Sequence, residues 1–208
     1  MTLKEAKKDF LVNTAQELFL EKGIIDVSIK DVAKKAGTGE ATIYRHFVHK
    51  KNLVLAVAEK LQKAIFDDYF SALEAKTGYE SIGRFFENYV SLFKERTELF
   101  RFVKDFDAYA ISEGGMKTEN YSLGIDRFKS AFLEAYERGV KDGSVRVIEE
   151  PEVFYFCSAH AMLELCKKLS SGEKIVKQDE SLKALSEIET LKETFLYFLA
   201  PAQDKNCG

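Results

Sequence analysis

The chain is poor in residues that break or staple structure. Only 2 of its 208 residues are proline and 12 are glycine, too few to punctuate the many turns of a sandwich or barrel. Three cysteines, Cys157, Cys166 and Cys207, are too few and too late for a disulfide framework and point to a reducing compartment, the cytoplasm. No apolar run reaches the ~18 residues that a membrane span needs, so no membrane partner is expected. The opening MTLKEAKKDF carries charges where a signal peptide would place its apolar stretch. No Gly-x-Ser-x-Gly, phosphate-loop or His-Glu-x-x-His pattern occurs, and His46, His49 and His160 fall into no catalytic arrangement. Neither an enzyme nor a cofactor is expected. What is present is a soluble balance, 46% hydrophobic and 31% charged residues, with length enough to bury a core unaided.

The net charge of -3 hides an asymmetry. Residues 1–51 hold ten Lys/Arg against seven Asp/Glu, a net +3, and residues 52–208 carry -6. A basic front on an acidic body suits a chain that meets a polyanion with one end only. Charge alone leaves random scatter an equal account.

Apolar residues recur at helical spacing nearly throughout, which predicts an all-α fold. The first helix is expected over Leu3–Lys22, with Phe10, Leu11, Ala15, Leu18 and Phe19 on one face and Gly23 as a left-handed cap. Ser28-Ile29-Lys30-Asp31 is a capping box that starts a second, short helix, stopped at Gly37. A third helix, Glu40 to about Phe47, turns Ile43 and Phe47 inward, and a fourth opens at His49 to Asn52 and is predicted to end at Thr77-Gly78. Further helices are expected over Ser81–Arg96, Glu98–Ser112, Tyr121–Val140, Pro151–Leu169 and Asp179–Leu199.

Residues 28–47 thus spell helix, glycine-containing turn, short helix: a helix-turn-helix covered by the first helix. Such a short helix enters the major groove only if it stands clear of its support. Ile43 and Phe47 would anchor it and leave Glu40, Ala41, Thr42, Tyr44, Arg45 and His46 free. Hydroxyls of Ser28, Thr42 and Tyr44, with Lys50, are candidates for phosphate. For Tyr44 a role as plain core aromatic remains open, and for Phe47 it is favoured.

These residues resemble a known family. Phe19-Leu20-Glu21-Lys22-Gly23, Ser28-Ile29-Lys30-Asp31-Val32-Ala33, Ala36-Gly37, Ala41-Thr42-Ile43-Tyr44-Arg45-His46-Phe47, Lys50 and Leu53 follow in order and look like the DNA-binding domain of TetR-family transcriptional regulators. The resemblance covers about Asp9 to Glu59. It implies a homodimer of all-helical subunits with about nine helices, in which residues 1–51 form a three-helix DNA-binding domain. Residues 52–208 would then form a larger domain for effector binding and dimerisation. It also implies a repressor that a small molecule releases from a palindromic operator. By position, Thr42, Tyr44, His46 and Lys50 match phosphate or groove-edge places, and Lys30, Ala41 and Arg45 match places that meet bases. Two departures stand out: Gly39 sits where a capping serine is common, and Glu40 puts a carboxylate at the start of the recognition helix.

The body holds 14 of the 17 Phe and 8 of the 9 Tyr. Phe86, Tyr89, Phe102, Asp105, Phe106, Tyr109, Phe128, Phe132 and His160 are candidates to line a cavity for an apolar or aromatic effector, with ordinary core as the alternative. Cys157, His160 and Glu164 share a helix face, and a core histidine beside a buried cysteine is favoured there over a metal site. The last two helices carry apolar stripes, Val153 to Leu169 and Leu182 to Phe198. These suit either mutual burial or a four-helix interface with a second copy, which the resemblance favours. Rival readings are a helix-turn-helix regulator without an effector, a helical enzyme with a basic appendage, and a ligand-carrying bundle.

Overall fold

A capping box opens the chain: Thr2 accepts from the Glu5 amide while the Glu5 carboxylate accepts from that of Thr2, starting α1 (Leu3–Lys22). This computed structural model describes residues 2–171 and 183–201. Gly172, Asp179, Leu182 and Cys207 lie outside the described residues. A second capping box, Ser28 with Asp31, starts α2 (Ile29–Lys35). Gly37, at φ +60°, closes it: its amide donates to the Lys34 carbonyl and that of Thr38 to the Ala33 carbonyl, the paired bonds of a left-handed glycine stop. Then follow α3 (Glu40–Phe47), α4 (Lys50–Ile65), a π-helical turn at Phe66–Phe70, α5 (Gly78–Glu95), α6 (Thr97–Glu113), α7 (Glu119–Lys141), α8 (Pro151–Ser170) and α9 (Ala184–Leu199). Among the described residues no strand occurs.

Three expectations are corrected. Gly23 has the positive φ of 87°, but its ψ of 159° is extended, not helical; the chain leaves α1 outstretched because Ile24 and Val27 must reach the core. Phe10 is 46% exposed, one position outside the buried face, with the Lys7 ammonium over its ring. Thr77 and Gly78 start α5 instead of ending α4. The hydroxyl of Thr77 caps the Glu80 amide, and α4 has already given way to the π turn.

The chain packs as two compact units, Met1–Ala64 with Thr97–Gly124, and Ile65–Arg96 with Ile125–Gly208. Packing does not divide the chain at residue 51, because α6 lies against α1 and joins the first unit. In the first unit Leu11, Ala15, Phe19, Ile24, Val32, Ile43, Leu53 and Val57 form the core. In the second, α5 packs against α8 and α9. Its centre is aromatic: Phe85 meets Phe70, Phe86 and Phe132 edge-on at centroid distances of 5.1, 5.6 and 5.3 Å, the arrangement that ring quadrupoles favour.

Candidate nucleic-acid interface

The recognition candidate α3 is held by two side chains. Ile43 is fully buried and Phe47 is 3% exposed. They are four residues apart and therefore on one side of the helix. On the other side Glu40, Ala41, Tyr44 and Arg45 are exposed, and Thr42 and His46 are partly so. Tyr44, at 45%, is thus not a core aromatic. Gly39 at the N-cap offers no side-chain acceptor, and Glu40 in the first turn supplies the negative charge that the helix dipole favours there.

The neighbours of α3 complete a basic surface. Lys30 is exposed on α2. The Ser28 hydroxyl is engaged in its cap, accepting from the Asp31 amide at 3.2 Å and donating to the Asp31 carboxylate. That bonding, side chain first and backbone second, holds the Asp31 carboxyl below its ordinary range. Burial, reinforced by the positive charges of Arg45, Lys4, Lys8 and Lys7, holds the His46 imidazole below the usual histidine value. Three lysines from the first turns of α1 therefore stand near the end of α3. Sequence spacing did not single them out, because a fold of some 40 intervening residues brings them there.

Lys50 is the exception in the expected set. Its ammonium donates to the Ile24 carbonyl at 2.6 Å and lies 5.5 Å from the centroid of the Tyr109 ring, and burial lowers its pKa. In this conformation the charge is committed to tying α4 to the turn after α1. Val48, between α3 and α4, was also missed. It has φ 59° and ψ -48°, and the His49 amide donates across it to the Phe47 carbonyl at 2.5 Å. This is a γ-turn of the rare positive-φ kind, costly for a β-branched residue, so no sequence signal announces it.

The candidate effector residues divide between the units. Phe102, Asp105, Phe106 and Tyr109 belong to the first, and Phe86, Tyr89, Phe128, Phe132 and His160 to the second. Phe102 and Phe106 are buried and stacked, and Phe106 also packs on Tyr121 at 5.0 Å. Asp105 sits by the turn after α1: a Cβ on Gly23 would stand 2.9 Å from its Oδ2. In the second unit Tyr89 lies edge-on to Phe70 and Phe85. Desolvation, with smaller contributions from Tyr155 and Cys166, drives its phenol far above the ordinary value, yet part of its surface remains accessible. His160 is a correction: it is exposed, as are Cys157 and Glu164, so it is neither a core histidine nor a cavity residue. It faces out beside Phe156, with ring centroids 5.9 Å apart. Among the described residues no group of three or more His, Cys, Asp or Glu is placed to hold a metal, and no helix is long and apolar enough to cross a membrane.

Comparison with known proteins agrees with this architecture. Residues 11–57 match the model of the bacterial regulatory proteins of the tetR family. Over that segment, about a quarter of the chain, it is similar to members of the family. The transposon Tn10 TetC protein of Escherichia coli is 36% identical over 81 residues, 38% of this chain and 41% of TetC, so the match spans less than half of that relative. The transcriptional repressor KstR2 of Rhodococcus jostii is 26% identical over 159 residues, 69% of this chain and 70% of KstR2. Two crystal structures share the fold. A TetR-family regulator from Mesorhizobium loti superposes with a TM-score of 0.71 at 18% identity, covering 96% of this chain and all of that one. A regulator from Saccharomonospora viridis, in complex with choline, gives 0.69 at 19% identity, with 93% and 95% covered.

Proposed function

We propose that this chain is a cytoplasmic transcriptional regulator, not an enzyme. In this reading it represses by binding a palindromic operator in double-stranded DNA as a homodimer, and a small apolar or aromatic effector releases it. The observation that carries the reading is the division of α3 into a buried pair, Ile43 and Phe47, and an exposed face that ends among lysines. Residues 1–51 supply the DNA-binding surface. Arg45 and Ala41, with Lys30, meet base edges, where arginine pairs with guanine O6 and N7 and alanine with a thymine methyl. Thr42, Tyr44 and His46, with Lys4, Lys7 and Lys8, take backbone phosphate, and Ser28 contributes by capping α2. Glu40 accepts from a cytosine amine or serves only the helix start. Lys50 contributes by holding the turn at Ile24.

Residues 52–208 carry the effector and the dimer contact. Phe86, Tyr89, Phe128 and Phe132 are the residues we assign to the effector, and the choline bound by the S. viridis protein supports a small-molecule effector as a class. Exposed apolar side chains on the last two helices, Val153 and Phe156 on α8 and Tyr197 and Phe198 on α9, support pairing with a second copy. Effector binding then shifts the dimer toward a state whose two α3 helices no longer match half-sites one helical turn, or a multiple, apart. It does so only by its differential affinity for the two states.

Selection of bound duplexes from a random pool, followed by anisotropy titration against salt, tests the proposal. A symmetric consensus with a steep salt slope is expected. Absence of any salt-dependent duplex binding overturns it.

A further inference from the structure

The first unit contains a concavity of about 520 Å³, well within the range of small-molecule sites. One wall is the end of α3 with its His46 and Phe47, another is the outward face of α4, and a third is the segment at 115–117 between α6 and α7. Three lysines line it, Lys8, Lys51 and Lys117, against one acidic residue, Glu59. None of the three lysines forms an ion pair among the described residues. Lys8 instead lies over the Phe47 ring at 5.8 Å. The remaining lining includes Leu55, Ala56 and Met116, an apolar floor beneath a cationic rim.

We propose that this concavity is a ligand site in its own right, one that takes a small organic anion with an apolar body, such as an aromatic carboxylate or sulfonate. Three cations around one hollow repel one another, and Glu59 offsets only one of them. An incoming anion relieves the surplus, while its hydrocarbon part covers Leu55, Ala56 and Met116. Burial raises the Glu59 carboxyl and Lys8 lowers it, so the acid feels one of the cations that the ligand would meet. Because the site joins α1, α3 and α4 to the 115–117 segment, occupancy fixes the end of α3 against that segment. The proposal uses only first-unit residues and stands whether or not the chain binds DNA.

The methionines provide a local reporter, since the chain has three, Met1, Met116 and Met162, and among the described residues only Met116 lines the concavity. Full-length protein with isotopically labelled methionine methyls is titrated with anilinonaphthalenesulfonate, and the Met116 signal is followed. A saturable shift is expected. Lys117→Glu, on an exposed non-helical residue, should weaken it about tenfold or more, as should Ala56→Trp, which fills the floor. Lys141→Glu, in the second unit, should leave it unchanged. A Met116 signal that does not move up to about 1 mM probe overturns the proposal. So does equal binding in Lys117→Glu, which keeps the test decisive even if Ala56→Trp fails to fold. Loss in Lys117→Glu with unchanged binding in a folded Ala56→Trp overturns it too, because the anion would then be a surface counter-ion.

Discussion

The ammonium of Lys50 is bonded to the main-chain carbonyl of Ile24 at 2.6 Å, across 26 residues of sequence. A charge that spacing alone would assign to phosphate is thus spent on the scaffold. Lys50→Ala should destabilise the fold by about 1 kcal/mol, since a partly solvated bond to a charged donor is worth less than the ~1.5–3 kcal/mol of a buried one. The dependence of duplex affinity on salt should keep its slope. Urea unfolding and anisotropy at several salt concentrations measure the two effects separately. A slope lowered by one unit with unchanged stability would return Lys50 to the phosphates.

Arg45 and Lys4 should behave oppositely. Arg45→Ala is expected to relax preference at one operator base pair, by about 1–3 kcal/mol at that position. Lys4→Ala should weaken all duplexes alike and reduce the salt slope by about one unit. Tyr44→Ala should also weaken binding across sequences. Titrations on matched and singly mismatched duplexes separate these outcomes.

Asp31 gives a pH dependence of known sign. Its carboxyl, ordinarily at 3.8, is lowered by the Ser28 hydroxyl and amide. A carboxyl depressed in the folded state contributes stability that is complete above the unfolded value and is lost as pH falls through the folded one. Asp31→Asn should therefore be less stable than the parent near pH 6, and the two should converge below the ordinary aspartate range. Denaturation midpoints across that interval decide it. Ser28→Ala, which removes the reciprocal cap, should cost about 1 kcal/mol at neutral pH.

Gly78 and Gly139 let α5 and α7 touch backbone to backbone. A Cβ on Gly78 would overlap the Gly139 main chain, and one on Gly139 would overlap Val145. The Asp142 carboxylate holds the junction by accepting from the amides of Gly78 at 2.8 Å and Ser144 at 2.9 Å. Alanine at either glycine should cost about 1–3 kcal/mol or more through forced displacement. Gly83, in the same helix with nothing within 4 Å of a new Cβ, should instead gain about 0.5–1 kcal/mol as alanine. Thermal and urea unfolding of the three variants checks both signs.

Much of this molecule is written in local chemistry. The capping box at Ser28 and the glycine at Gly37 bound α2, and the Ile43–Phe47 spacing sets the inward side of α3, so α2 and α3 are legible residue by residue, whereas α1 is legible in its extent but not at Phe10 or Gly23. Hydrogen bonds and helical periodicity act over three or four positions, and such short-range rules are complete in the linear chain. They fail where distant segments compete for one group. Lys50 went to Ile24, and Asp105 to the turn at Gly23 instead of a cavity. Thr77 capped the next helix in place of closing the previous one. His160 turned outward because an α8 face that periodicity marks apolar is shared with exposed positions. The gathering of Lys8, Lys51 and Lys117 around one hollow follows from α1, α4 and the 115–117 segment meeting in space, and meeting in space is a property of packing that no spacing along the chain encodes.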